Sequence, residues 1–303
     1  MPPLHKVSIN QLLKSLGMNF TVKGRRDGYV ISVSRIEDAD DNSLTFCNKK
    51  GEEGVQLIRN SRANTVICSD ELMFSPNDYK ARTIILVSDP RLAMLRIMQR
   101  HFVEKPVPGI SPISVINDNA RIHPTACIGP NSYIGRCEIG EHSIIHGNVF
   151  IYDGTRIGRN VMIQAGAVIG AEGQGFERND KRELEKFPQV GGVIIENDVE
   201  VGSNTSIMRG AMGDTLIGRG TKIGHLCSIG HGAIIGKHCM IISKSMIGGS
   251  ALIGDYTQIS FGACIRNKIT IGNNVIVGMG SVVTESISDG KVVFGVPAKE
   301  RAK

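Results

Sequence analysis

The sequence contains no tryptophan, only 5 Tyr and 9 Phe, and only 11 Pro in 303 residues. So few aromatics leave little to stack on bases, and the basic residues are scattered apart from the pairs Arg25/Arg26 and Lys49/Lys50. A nucleic-acid-binding protein is therefore not expected. No run of eighteen apolar residues occurs, and residues 1–16 mix Lys and His among short apolar groups, so neither an integral membrane segment nor a secretion signal is expected. Cys47, Cys68, Cys127, Cys137, Cys227, Cys239 and Cys264 include no Cys-x-x-Cys pair. Their odd number and wide spacing fit reduced thiols in a cytoplasm better than a disulfide framework. The balance of 35 Lys+Arg against 29 Asp+Glu, a net charge of +6, describes a solvated surface that would also suit anionic substrates.

Glycine is abundant, at 36 residues, and the excess has a fixed period. The period is six. From Ile217 an Ile or Val recurs at 223, 229, 235, 241, 247, 253, 259, 265, 271, 277 and 283. Gly follows it at 218, 224, 230, 236, 248, 254, 272 and 278, and the fourth residue after each apolar one is usually small or β-branched, as in Thr221, Cys227, Ala233, Cys239 and Ser245. The same phase runs through Ile116, Ile122, Ile128 and Ile134, continues after a one-residue deletion from Ile139 to Ile169, and resumes at Ile195, Val201 and Ile207. Two insertions interrupt it, of about twenty residues between Ile169 and Ile195 and about four between Ile207 and Ile217. A solenoid tolerates insertions at such junctions because each unit touches only its neighbours.

One large apolar residue, a corner glycine and a small inward residue describe a short strand plus a turn. Three such units close a triangular coil, and about eight coils at strand spacing make a prism on the order of 38 Å long. Cys227 and Cys239 fall on the small inward position, which reads as core packing rather than metal or redox chemistry. This pattern resembles the hexapeptide-repeat family, and the resemblance implies a left-handed parallel β-helix, an exception to the usual right-handed crossover. Before Ile116 the texture changes to irregular β-rich runs at 29–33, 43–46, 64–68 and 83–87, with helical apolar spacing at 9–16 and 92–102. The expected fold is mainly β. A small α/β domain over 1–105 is followed by a Pro-rich linker over 106–115, a β-helix over 116–283 and a short C-terminal tail over 284–303.

Further motifs occur in order along nearly the whole chain: Leu44-Thr-Phe-Cys-Asn48, Asp89-Pro-Arg-Leu92, Gly170-Ala-Glu-Gly-Gln-Gly-Phe176, Phe187-Pro-Gln-Val-Gly191, Arg209-Gly-Ala-Met-Gly-Asp-Thr215 and Ile229-Gly-His-Gly-Ala-Ile-Ile-Gly236. They resemble the UDP-3-O-acylglucosamine N-acyltransferases of lipid A synthesis. The resemblance implies that His231 is a general base and that the first domain holds uracil; N-acetyltransferases acting on nucleotide-linked amino sugars share the fold and the histidine. The chain departs from the lipid A enzymes at several positions. Met208 stands where they carry Asp, His225 where they carry Asn, and Lys268 where they carry a second His. An aromatic expected after Phe46 is replaced by Asn48-Lys-Lys-Gly-Glu-Glu53. A long C-terminal helical extension associated with acyl carrier protein is absent, and the tail Gly295-Val-Pro-Ala-Lys299 is similar to the ending of hexapeptide enzymes that use acetyl-CoA. These departures favour a relative acting on another amino sugar, with Gly295, Pro297 and Lys299 as donor-binding candidates.

Amide formation from a thioester needs a base for the amine proton and donors for the developing oxyanion. His231 suits the first task, since an imidazole titrates near pH 6.5. One coil further along, Gly249 should lie directly beside it, with a backbone N–H free to reach a thioester oxygen. Asp214 and Glu172 are candidates to orient His231. The segment containing Gly173 and Gln174 opens no helix and is not a dinucleotide fingerprint; as an insertion it is expected to arch over a neighbouring subunit's cleft, contacting substrate or packing a trimer. Phe46 could stack on a nucleobase or belong to the core, with Asn48 beside it. His225 and Lys268 could touch substrate or be ordinary surface, and Met240 and Met246 could line an acyl groove or simply pack. His142, His146, His225, His231 and His238 lack the spacing of a convergent tetrahedral metal set, so no metal is expected. The reading is a cytoplasmic homotrimeric N-acyltransferase that moves an acyl group from acyl-CoA to the amine of a nucleotide-linked amino sugar for cell-surface polysaccharide. The attack is direct, since no Cys or Ser stands in a nucleophile motif beside His231. An alternative is UDP-3-O-(3-hydroxyacyl)glucosamine N-acylation from acyl carrier protein; one of another class is a zinc-dependent lyase of carbonic anhydrase type.

Overall fold

The computed structural model describes residues 6–300, so residues 1–5 of the first segment and 301–303 of the tail lie outside the described chain. It divides into two compact units, Met1–Lys105 and Pro106–Lys303.

In the first unit a five-stranded sheet is built from Ser32–Val33, Ser43–Cys47, Thr65–Ser69 and Thr83–Val87 in parallel, with Phe20–Gly24 added antiparallel to the last. Alternation along each strand sends residues to opposite faces. Leu44, Ile67, Ile85 and Val87 pack with helices α1 (Ile9–Ser15) and α3 (Pro90–His101), while Val66, Cys68, Ile84 and Leu86 pack with α2 (Gly51–Asn60). Local chemistry starts two of these helices: Ser8 and Gln11 form a reciprocal capping box at α1, and Asp89 accepts from Leu92 N at 2.9 Å ahead of Pro90 at α3. Helix α2 was not expected from the sequence because glycines at 51 and 54 weaken its signal. Gly54 is there for space, since a Cβ would lie 2.3 Å from the Lys49 carbonyl oxygen.

The second unit is a left-handed parallel β-helix whose three faces are sheets of eight, eleven and nine strands. Register advances by one coil per strand pair, as in Ile229↔Ile247 and Ile247↔Ile265. Across the insertions the pairing still holds, with Ile163↔Val201 and Val201↔Ile223 opposed; on the face from which the insertions leave, Ile169↔Ile207 is kept and the register shifts only between Ile169 and Ala171. The inward column of Ile and Val forms one continuous core. Between its rungs the small inward residues close polar bonds: Thr221 donates to Gly236 O at 2.7 Å and accepts from Cys239 N at 3.0 Å. Burial raises the Cys239 and Cys227 thiols and pushes Cys137 up to about 12, as suits packing groups.

Corners recur in a left-handed backbone conformation, for which Asn is better suited than most residues. Asn131, Asn148, Asn160, Asn204 and Asn274 all take φ between +53° and +59°. At one corner a side-chain ladder runs up the prism: Asp255, Asn273 and Asp289 accept from the backbone N–H of Lys237, Asp255 and Asn273 at 2.7, 2.8 and 2.9 Å. The solenoid exceeds the span read from the period. Within the linker 106–115, Gly109–Ile110 already pairs with Cys127–Ile128, and within the tail 284–303, Val292–Phe294 pairs with the Ile276–Val277 strand. Ile110 is in phase, six residues before Ile116, but sits among prolines that read as a linker, whereas Val293 follows Val277 by sixteen residues instead of a full coil of eighteen and so falls out of the period.

Candidate active site

The strands Val168–Ala171, Ser206–Met208, Ser228–Ile229, Met246–Ile247 and Cys264–Ile265 stack on one face. The chain leaves each at the same corner. At the first two it runs into the two insertions, over 172–192 and 209–214; at the next three it makes plain turns containing His231, Gly249 and Asn267-Lys268. The insertions therefore wall one end of a cleft of about 830 Å³ whose other lining includes His231, Gly249, Met246, Asn267 and Lys268.

Glycines permit this corner to stack. A Cβ at Gly230 would lie 2.5 Å from Gly249 N, and one at Gly248 would lie 2.4 Å from Asn267 N, so backbone passes directly over backbone. Gly249 differs: its added Cβ would meet a side chain, 2.8 Å from His231 Nε2. The imidazole thus stands against the bare face of Gly249. Elsewhere corner N–H groups are capped by side-chain oxygens from the next coil, as at Lys237 and Asp255, but among the described residues the N–H of Gly249 donates to no protein group. The ring of His231 likewise makes no hydrogen bond or ion pair there.

The first insertion forms an antiparallel hairpin, Phe176–Arg178 with Leu184–Lys186. Its base is pinned by buried Gln189, 3% exposed, whose Oε1 accepts from Gly173 N at 2.8 Å. Lys186 pairs with Glu172 and holds that carboxyl below its usual range. Gln174, Phe176, Phe187 and Gln189 then line the cleft together with Met208 and Met212. The insertion lines the cleft of its own chain, because its root lies on the same corner as His231. The two carboxylates considered for orienting His231 are engaged elsewhere. Asp214 binds Arg156 at 2.6 Å and Gly192 N at 2.8 Å, and Glu172 binds Lys186.

The other expected residues are distributed unevenly. Gln174, Lys268 and Met246 join His231 and Gly249 in the cleft, and Gly173 sits just behind it, where a Cβ would lie 2.9 Å from Met208 Sδ. His225 occupies a different corner, its Nδ1 accepting from Ser203 N at 2.9 Å. Met240 points outward from another face. Lys299 lines a separate cleft of about 230 Å³, Gly295 N donates to Ser281 Oγ at 3.2 Å, and Pro297 is exposed in the same tail. In the first unit Phe46 is half-buried against the cluster around α1 and α3, and Asn48 is exposed ahead of α2. His238 stacks on Tyr256 with 5.5 Å between ring centroids, and no three His, Cys, Asp or Glu side chains converge among the described residues. Phe176, Phe187 and Gln189 were not singled out from the sequence as lining residues; the phase of the first insertion relative to His231 was the available signal.

A triangular hexapeptide solenoid with an unpaired corner histidine over a partly apolar cleft defines the class: a hexapeptide-repeat acyltransferase. Residues 136–171 and 214–249 match the family model described as bacterial transferase hexapeptide (six repeats). Over 296 residues the chain is 33% identical to the UDP-3-O-acylglucosamine N-acyltransferase of Coxiella burnetii, covering 91% of this chain and 84% of the relative. It is 34% identical over 256 residues to the enzyme of the same name from Pseudomonas syringae pv. tomato, covering 77% and 69%. Among solved structures it is similar to the UDP-N-acetylglucosamine acyltransferase of Bacteroides fragilis (TM-score 0.58, 27% identity, 64% of this chain and 74% of that one). The O-acyltransferase of Moraxella catarrhalis shares the fold (TM-score 0.59, 24% identity, 63% and 73%). The chain belongs to the UDP-3-O-acylglucosamine N-acyltransferase family. It is an N-acyltransferase, and no helix among its described residues is long and apolar enough to cross a membrane.

Proposed function

We propose that the protein transfers an acyl group from a thioester donor to the amine of UDP-3-O-acylglucosamine in lipid A synthesis, working in the cytoplasm. The relatives favour this reading, which the sequence placed second, over acyl-CoA-dependent modification of a polysaccharide sugar. The observation that carries it is the juxtaposition of His231 Nε2 with the bare face of Gly249 inside the cleft. His231 takes the proton from the attacking amine as nitrogen bonds to the thioester carbon. The Gly249 N–H donates to the oxyanion of the tetrahedral adduct. Collapse breaks the carbon–sulfur bond, and the departing thiolate recovers the proton from the imidazolium. Phe176, Phe187, Met208 and Met246 offer an apolar lining for the acyl chain.

A homotrimer is part of the proposal. Ile234 and Leu252, each 42% exposed, point outward one coil apart on the face that begins at the His231 corner, an apolar strip for a second copy to cover. The test is thiol release from acyl carrier protein and CoA thioesters with UDP-3-O-acylglucosamine and a panel of UDP- and dTDP-linked amino sugars. His231→Ala should lose about 10²- to 10⁴-fold in kcat. Wild-type rates in that variant refute the assignment, and a burst of one thiol without acceptor refutes direct attack.

A further inference from the structure

The His231 cleft contains a cation that no carboxylate neutralises. Arg156, Arg219 and Lys222 on the prism and Lys186 in the hairpin are each paired with an acid. Lys268 lines the cleft, yet its ammonium makes no hydrogen bond or ion pair among the described residues. The one acidic lining residue, Glu177, belongs to the hairpin.

The placement of Lys268 is set by the backbone. It continues the corner file Gly232, Ser250, Lys268, with φ of +67°, +57° and +58°, and its N–H donates to Gly249 O at 3.0 Å. It therefore lies one rung beyond Gly249 and two beyond His231, about 9.6 Å along the prism at strand spacing. The reacting carbonyl, held at the rung of Gly249, falls between the base and this cation. Beside it Asn267 also lines the cleft, with a backbone N–H that donates to no protein group among the described residues. A compact ammonium next to an open amide suits a tetrahedral phosphoryl oxygen set. Both substrates of the proposed reaction carry one: the diphosphate of the nucleotide sugar, and the phosphopantetheine arm shared by CoA and acyl carrier protein.

We propose that Lys268, with the N–H of Asn267, holds a substrate phosphoryl group on the far side of the reacting centre from His231. The inference rests on the N-acyltransfer reading and specifies where the charge of a substrate is held. Lys268 is exposed at a corner, so replacing it leaves the core intact.

The experiment is calorimetric binding of UDP and of 4′-phosphopantetheine to the full chain, with KM for nucleotide sugar and for acyl donor, in wild type, Lys268→Met and Lys268→Arg. Lys268→Met should weaken one probe, and raise the matching KM, by about 10- to 100-fold while kcat stays within about threefold; Lys268→Arg should keep most of the affinity. The gap between wild type and Lys268→Met should narrow as salt is raised. Loss confined to UDP assigns the acceptor phosphate, and loss confined to phosphopantetheine assigns the donor. Equal affinity of wild type and Lys268→Met for both probes overturns the proposal, as does a fall in kcat with both KM values unchanged, which would put the ammonium on the oxyanion. Wild type that binds UDP through Lys268 yet acylates nothing would instead overturn the N-acyltransfer reading alone.

Discussion

Adding one carbon at Gly249 separates catalysis from stability at this corner. The new Cβ of Gly249→Ala lies 2.8 Å from His231 Nε2 and 3.1 Å from two ring carbons, roughly 0.6 Å inside ordinary van der Waals contact. Backbone is not what it strikes, so the ring moves and the coil stays. Displacing a base on that scale, while a methyl group crowds the N–H assigned to the oxyanion, should lower kcat about 10²-fold, or about 2.7 kcal/mol. The melting temperature should change by no more than about 3 °C. Gly248→Ala is the paired control, because its Cβ would lie 2.4 Å from Asn267 N and 2.7 Å from Asn267 Cα. Backbone in the next coil cannot rotate away, so that variant should lose about 1–3 kcal/mol of stability. Thiol release under saturating substrate, read beside thermal unfolding for both variants, makes the comparison. A Gly249→Ala enzyme with kcat within about threefold of wild type would refute the placement of chemistry between these two residues.

Gln189→Ala removes the buried acceptor of the Gly173 N–H; it should cost about 1–3 kcal/mol and speed proteolytic nicking of the hairpin, checked by limited trypsinolysis at Lys181 and Arg182. The His101 imidazole lies 2.6 Å from Ser15 Oγ, and burial, then Arg100, holds its pKa below 6.5. The unfolded chain therefore binds the extra proton more readily: this contribution is complete above pH 6.5 and is lost as pH falls through the lowered value. The stability of the first unit should decline on that side, and His101→Gln should flatten the decline in pH-dependent denaturant melts. Native titration with an aromatic disulfide should modify the half-buried Cys127 and Cys264 well before the five buried thiols, whose ionisation burial opposes at Cys47, Cys68, Cys137, Cys227 and Cys239. Reaction of all seven at one rate would contradict the packed core.

Local repetition made much of the fold readable. An inward Ile every sixth residue, a corner glycine and a small partner describe each rung, and each rung is stabilised mainly by its two neighbours, so a one-dimensional code suffices. The same code placed Gly249 beside His231, one coil on. It had less to say about the first unit, where glycines at 51 and 54 weaken the helical signal of α2 and the pairing of Phe20–Gly24 with Thr83–Val87 joins residues far apart in the chain.

Sequence alone thus determined the solenoid, the phase of its corners and the corner on which His231, the proposed base, stands. The tertiary structure decided what surrounds that base. Insertions at 172–192 and 209–214 have no period, and their course depends on Gln189 reaching Gly173, on Lys186 closing over Glu172 and on Asp214 binding Arg156 and Gly192. Those contacts engage the carboxylates of Asp214 and Glu172 away from His231 and turn the hairpin over the chain's own cleft. They also leave Lys268 unpaired within it, while His225 and the Gly295–Lys299 tail lie elsewhere. A repeat sets which residues share a corner, because stacking rungs must match; irregular side-chain bonds set which of those residues face the same space.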